Sequence, residues 1–317
     1  MHLERTLVNI YYTSLERSIT GDLISMIRFM PGLSSKLEII GADIYKMDDQ
    51  FAKDFCDTLV LKKDQEERII QESFKEYICN KENLDKEKYN YKRVFNLVIE
   101  GEDAVKKISK LVGDIRIRNG VTILGRYGFF KMSADKKVIM SEFPASAPNN
   151  KEEAEAQLSL FWNKYKDRGG PLKNSVIYPD NMVKEVDNSL VLIKPNTFEG
   201  SYDPRIGDVV NAISLTGMYI VGAKIQIPTK EQMEEFYLVH KDKPFFEELV
   251  NFMSDKKSLA LLYEGRGALC QIRETALKLV RYAYSESILE NTIHTSDHQE
   301  NFLREVRVVN FNENKLP

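Results

Sequence analysis

An internal repeat governs what this chain can become. Thr6-Leu7-Val8-Asn9-Ile10 leads to Ile19-Thr20-Gly21-Asp22-Leu23-Ile24 and then to Ile39-Ile40-Gly41-Ala42-Asp43-Ile44. Much later, Leu190-Val191-Leu192-Ile193 leads to Ile206-Gly207-Asp208-Val209-Val210 and then to Ile220-Val221-Gly222-Ala223-Lys224-Ile225. Asn96-Leu97-Val98-Ile99-Glu100-Gly101 is echoed by Ala260-Leu261-Leu262-Tyr263-Glu264-Gly265. Phe143-Pro144-Ala145-Ser146, followed by a helical stretch from Lys151 to Trp162, is echoed by Thr292-Ile293-His294-Thr295 and the stretch Gln299 to Phe311. Five matches in one order read as two copies of a single domain. The boundary falls at Lys166-Asp167-Arg168-Gly169-Gly170-Pro171, where Gly and Pro cluster. The copies are therefore placed at residues 1–165 and 172–317. A chain of 317 residues, 43% apolar, can fill two cores.

Within the second copy, Ile206, Val209, Val210 and Ile213 recur at helical spacing, as do Phe302, Leu303, Val306 and Val309. Asp297 is placed to N-cap the last helix. β-Branched runs predict strands at 189–193, 219–227 and 258–263. Strands interleaved with helices suit an α+β sandwich with helices on one sheet face, and leave an α/β arrangement open.

Charge narrows the function. Lys plus Arg is 45 against 48 Asp plus Glu, a net −3, so the basic excess of a nucleic-acid binder is missing. Cations that hold phosphate must then be a few placed side chains. Cys56, Cys79 and Cys270 are odd in number and widely spaced; they predict neither a metal site nor a disulfide framework, and read as reduced packing residues. The start lacks the apolar core of a signal peptide, and no apolar run approaches the ~18 residues of a membrane span. The expectation is a soluble cytoplasmic protein.

There are four histidines: His2, His240, His294 and His298. His294 stands in Asn291-Thr292-Ile293-His294-Thr295-Ser296-Asp297, just before the last helix. It is either a surface loop residue or a nucleophile whose other ring nitrogen is held by a carboxylate, with Glu305 as the candidate.

The surroundings favour the nucleophile. From about Ser189 to Phe311 the chain resembles the nucleoside diphosphate kinases, whose signature of Asn, two residues, His, a small residue and Ser-Asp is met by Asn291 to Asp297. Leu192-Ile193-Lys194-Pro195, the segment Phe236 to Leu249, Glu264-Gly265, Arg273 and Arg281 fit the same family. The resemblance implies a ferredoxin-like βαββαβ fold in each of two tandem domains, with antiparallel sheets covered by helices. It implies ping-pong transfer of a γ-phosphoryl group between nucleoside tri- and diphosphates through phosphohistidine at His294. Lys194, Arg273 and Arg281 would hold phosphate. Tyr237 and Asn291 would bond near the reacting phosphate and sugar. Glu305 would orient His294, with Ser296 supporting Glu305. Phe245 would stack on the base, and Leu249 would belong to the nucleotide site. Mg²⁺ would be carried by the phosphates, with no protein ligand of its own.

Each of these side chains also has an ordinary use, as surface charge or as core; their joint pattern is what points to chemistry. Copy one lacks it: Tyr11 stands for Lys194, Ser109 for Arg273 and Ala145 for His294, so it is expected to be inactive and to pair with copy two as an intrachain pseudo-dimer. Copy two departs from the family in a shortened loop between Arg273 and Arg281, and in Thr295, Lys243, Asn196 and His298. The short loop argues against the family's usual hexamer. The alternative reading is a nucleotide-binding regulatory or scaffold protein with little turnover.

Overall fold

The computed structural model describes residues 3–29, 37–79, 93–172, 176, 178, 185–199, 205–285, 287 and 289–311. The chain divides into two compact units. One holds Met1–Arg17, Met26–Gly41 and Tyr45–Gly169; the other holds Ser18–Ser25, Ala42–Ile44 and Gly170–Pro317.

Each unit is built on a four-stranded sheet. In the first, the strands are β1 (Leu3–Tyr11), β2 (Glu38–Lys46), β3 (Arg93–Glu102) and, after a hairpin of β4 (Phe129–Met132) and β5 (Val138–Glu142), β6 (Ala145–Ser146). In the second they are β7 (Val186–Ile193), β8 (Tyr219–Gln226), β9 (Ser258–Arg266) and β10 (Ile293–Thr295). The sheet orders are β2-β3-β1-β6 and β10-β7-β9-β8. Renumbered within each unit, both orders are 4-1-3-2, with helices on the connections. That is the ferredoxin-like βαββαβ topology, occurring twice, and the α/β alternative falls.

The second unit shows why these residues fold this way. β7 runs Val-Asp-Asn-Ser-Leu-Val-Leu-Ile, with Ser189 to Ile193 wholly buried, as a central strand requires. The helix Ile206–Ser214 buries Ile206, Val209, Val210 and Ile213 on its apolar stripe. Thr229 opens the helix Lys230–Phe236 with a capping box, its hydroxyl accepting from Gln232 N while the Gln232 side chain accepts from Thr229 N. Met233, Phe236, Tyr237, Leu249, Phe302 and Val306 then share one core with Leu190, Leu192 and Leu262. Each such side chain contributes about 1.5–3 kcal/mol on burial.

Four expectations change. The last helix spans Gln299–Val308 and is capped by His298 with no side-chain bond; Asp297 instead accepts from Asn301 Nδ2 at 2.6 Å. Between Arg273 and Arg281 there is no loop. The helix Ala268–Thr275 runs into a π-helix, Ala276–Arg281, and then Tyr282–Tyr284, so the short segment stays helical. Cys56 and Cys79 come together, Sγ to Sγ at 3.4 Å, although their sequence spacing gave no sign of it.

The fourth change concerns the first unit. Asn96 lies opposite Asn9 as Ala260 lies opposite Leu192, which aligns the two sheets. Asn9 is then paired with Ser146 as Leu192 is paired with His294. Ser146, not Ala145, therefore occupies the register of His294. A one-residue shift on a strand turns the side chain to the other face, and Ala145 is indeed fully buried. The helix Gln65–Cys79 fills much of the charged insertion from Asp64 to Tyr91; residues 80–91 lie outside the described residues.

Candidate active site

β10 is three residues long and pairs with the end of β7, His294 opposite Leu192. Its alternation sends Ile293 and Thr295 into the core and His294 to the other side. Thr292, just before it, has φ 68°, uncommon for a β-branched residue; its Oγ1 donates to Tyr284 O at 2.9 Å, and its own carbonyl accepts from Lys194 N at 2.9 Å. The turn into β10 thus ties the histidine to the end of β7, where Lys194 sits.

The His294 ring is held on three sides. Nε2 lies 2.8 Å from Glu305 Oε1, and Glu305 Oε2 accepts from Ser296 Oγ at 2.5 Å. Glu305 is 2% exposed and Ser296 is fully buried. An ionised carboxylate only accepts, so the ring proton belongs on Nε2 and Nδ1 keeps its lone pair. Phe236 and Tyr237 pack edge-on against the ring, at centroid distances of 4.9 and 5.6 Å. Tyr237 is 2% exposed, and its hydroxyl has no hydrogen-bond partner among the described residues. Burial pushes that phenol far above its ordinary range.

Lys194 and Arg281 gather nearby. Lys194, only 3% exposed, donates from Nζ to Leu289 O at 2.9 Å. Burial, helped by the charge of Arg281, pulls its ammonium down to about 7. The Arg281 guanidinium donates to Ile293 O at 3.2 and 3.3 Å, and burial with the repulsion of Arg273 lowers its affinity for the proton. Arg273 faces Asp297 at 3.7 Å. Lys194, Arg281 and Arg273 form a chain of mutually repelling cations, the electrostatics of an anion site.

The remaining expected residues divide. Asn291 is half-buried on the turn leading into β10. Phe245 is partly buried at the start of the helix Phe246–Met253, while Leu249 on that helix is 5% exposed and belongs to the core. His240 is a member that sequence reasoning missed: its ring lies 6.3 Å from Tyr237 and 5.8 Å from Phe245. Burial and the neighbouring His294 lower its pKa. It lies inside the segment Phe236 to Leu249 that fits the family, but nothing in that run marked its ring as part of the site. Among the described residues no group of three His, Cys, Asp or Glu side chains could hold a metal ion.

A family model described as nucleoside diphosphate kinase matches residues 187–316. The chain is 35% identical over 132 residues to the nucleoside diphosphate kinase of Staphylothermus marinus, covering 39% of this chain and 92% of that one. The chain belongs to the nucleoside diphosphate kinase family. The family's protein from Methylobacterium radiotolerans is 39% identical over 129 residues, covering 38% of this chain and 90% of its own. A solved nucleoside diphosphate kinase from Aquifex aeolicus is 29% identical, covers 42% of this chain and 99% of its own, and has a TM-score of 0.37. The family match falls in the second unit, where His294 and its partners lie.

The first unit has different residues at the matching positions. Ser146 Oγ lies 2.6 Å from Tyr11 OH, and Gln157, eleven residues on as Glu305 is from His294, accepts from Asn9 Nδ2 at 3.2 Å. Ser109, Ser146 and Gln157 line a cavity of about 320 Å³ together with Phe74 and Arg116. Arg116 is engaged by Asp114 and Glu66.

Proposed function

We propose that the C-terminal part of the chain, residues 172–317, carries a nucleoside diphosphate kinase working through a covalent phosphohistidine. His294 Nδ1 attacks the γ-phosphorus of a nucleoside triphosphate; the N–P bond forms as the bond to the bridging oxygen breaks, and the nucleoside diphosphate leaves. A second diphosphate then attacks the phosphohistidine and takes the phosphoryl group. The observation that carries this reading is the buried His294–Glu305–Ser296 chain beside Lys194 and Arg281. A protein that only bound nucleotide would have no use for a histidine held by a carboxylate.

Each residue has a physical task. Glu305 fixes the tautomer and favours the charge that develops on the ring. Lys194, Arg281 and Arg273 offset negative charge on the transferring group, and they do most where water is excluded. The partnerless Tyr237 hydroxyl gains an acceptor when phosphate enters. Phe245 presents a π-face to the base, which favours broad base acceptance, and Asn291 offers hydrogen bonds near the sugar. Cationic side chains are poor metal ligands, so Mg²⁺ would be held by the nucleotide and would supply further charge neutralisation.

One observation favours the alternative of a slow or regulatory nucleotide binder. The helical run from Ala268 to Tyr284 leaves no loop between Arg273 and Arg281 to fold over the phosphates. Steady-state exchange from ATP to GDP separates the two. The kinase reading expects turnover in wild type and none in His294→Ala, with nucleotide affinity kept. Equal turnover in both proteins would contradict it, and binding without turnover in wild type would favour the regulator.

A further inference from the structure

We propose that Cys56 and Cys79 form a reversible oxidation site, closing to a disulfide when a hydroperoxide is the oxidant. Cys56 lies on the helix Asp49–Asp57 and Cys79 ends the helix Gln65–Cys79, with 3.4 Å between their sulfurs. Both are free thiols, Cys56 buried and Cys79 half-buried, so a small oxidant reaches Cys79 first. The sulfurs need to approach by about 1.4 Å to reach the covalent distance of about 2.0 Å.

The helix pair is already set for closure. Gln71 Nε2 donates to Val60 O at 2.8 Å and its Oε1 accepts from Lys62 N at 3.2 Å, pinning the connection to the second helix. Phe55 and Phe74 meet edge-on at 6.3 Å between the same two helices. These contacts hold the two helices together with the sulfurs facing each other.

The difference in exposure sets the order of events, and the local charges agree with it. A thiol of Cys56 that donates to Cys79 favours the Cys79 thiolate, with Lys75 adding to the effect and Asp57 and Asp49 opposing it. The same partnership and burial push the Cys56 thiol up. The Cys79 thiolate attacks one peroxide oxygen; the S–O bond forms, the O–O bond breaks, and the alkoxide or hydroxide fragment leaves as alcohol or water after taking a proton. Cys56 then attacks the sulfenic sulfur of Cys79. The S–S bond forms, the S–O bond breaks, and the hydroxyl leaves with the Cys56 proton as water. Two electrons pass from the thiols to the peroxide, and a dithiol returns them.

The site also has a target. Leu59, Lys62, Ile70, Gln71 and Phe74, from the helix Gln65–Cys79 and the connection before it, line the 320 Å³ cavity of the first unit. A disulfide would fix that wall of the cavity, independently of whether the C-terminal unit is a kinase.

The test treats the full chain with hydrogen peroxide in small molar steps, then alkylates it under denaturing, non-reducing conditions and maps peptides by mass spectrometry. The expected result is loss of two of the three alkylatable thiols, a linked Cys56–Cys79 peptide that dithiothreitol releases, and the same link in Cys270→Ser. In Cys56→Ser, Cys79 should instead be trapped as sulfenic acid by dimedone. Three alkylatable thiols after peroxide, or oxidation confined to Cys270, would overturn the proposal. So would terminal oxidation of Cys79 in wild type without the linked peptide.

Discussion

Lys194 sits in an environment that works against its charge until an anion arrives. Burial beside Arg281 pulls its ammonium to about 7, well below the ordinary lysine value of 10.5. The sign follows directly. In the empty site at about pH 8.5 the amine is mostly neutral, and bound phosphate favours the ammonium, so nucleotide binding takes up a proton. Below about pH 6 the lysine is already charged and this uptake disappears. Calorimetric titration of ADP in buffers of different ionisation heat should show it at the higher pH and not at the lower. Absence of uptake at the higher pH would mean Lys194 does not meet the phosphates. Glu305 makes a second prediction. Glu305→Gln keeps the shape and presents either an amide NH₂ or a weaker acceptor to Nε2, so kcat should fall on the order of 10²–10⁴-fold with KM little changed. A fall of less than threefold would remove Glu305 from its orienting role.

At the scale of elements, the sheets carry the account. Leu262 is fully buried at the centre of β9, between Leu190 on β7 and Gly222 on β8. Leu262→Ala should cost about 2–5 kcal/mol, read as a lower urea midpoint at unchanged slope; a loss under about 1 kcal/mol would contradict the packing. Much of this level was legible in the sequence. The strand runs, the helix at Ile206 and the helix before the C-terminus follow from periodicity, and the repeat gave the shared topology. Three features were not legible, for distinct reasons. A π-helix uses the same helix-forming residues as an α-helix, so Ala276 to Arg281 gave no signal that the short segment continues the helix. Cys56 and Cys79 meet through the tertiary packing of two helices. Matching Ala145 to His294 was off by one because two residues of β6 carry too little pattern to fix register; the pairing of Asn9 with Ser146 was needed to settle it. The candidate site itself was read from family resemblance, and the structure gathers His294, Glu305, Ser296, Tyr237, Lys194 and Arg281 within one unit. Leu249 lies in the core cluster, as Tyr237 does, and His240 was overlooked because ring packing leaves no trace in local spacing.

At the scale of the whole molecule, one topology appears twice with different chemistry. The first unit has Ser146 in the histidine register, Gln157 in place of Glu305, and Tyr11 and Ser109 where the second has Lys194 and Arg273. Restoring the nucleophile alone should therefore not restore transfer. In a His294→Ala background, Ser146→His is expected to give no phosphoenzyme from ATP, because Gln157, Tyr11 and Ser109 stand where the second unit has its carboxylate and two of its cations; labelling at residue 146 would contradict the reading of the first unit as silent. The central claim rests on the intermediate at His294. Incubation of the wild-type chain with γ-labelled ATP and Mg²⁺, followed by rapid quench, tests it most directly. The expected result is close to one acid-labile phosphoryl group per chain, located on His294 by mass spectrometry, absent from His294→Ala and removed within one turnover by GDP. Nucleotide bound at full occupancy with no label on His294, or a label that GDP cannot remove, would contradict it.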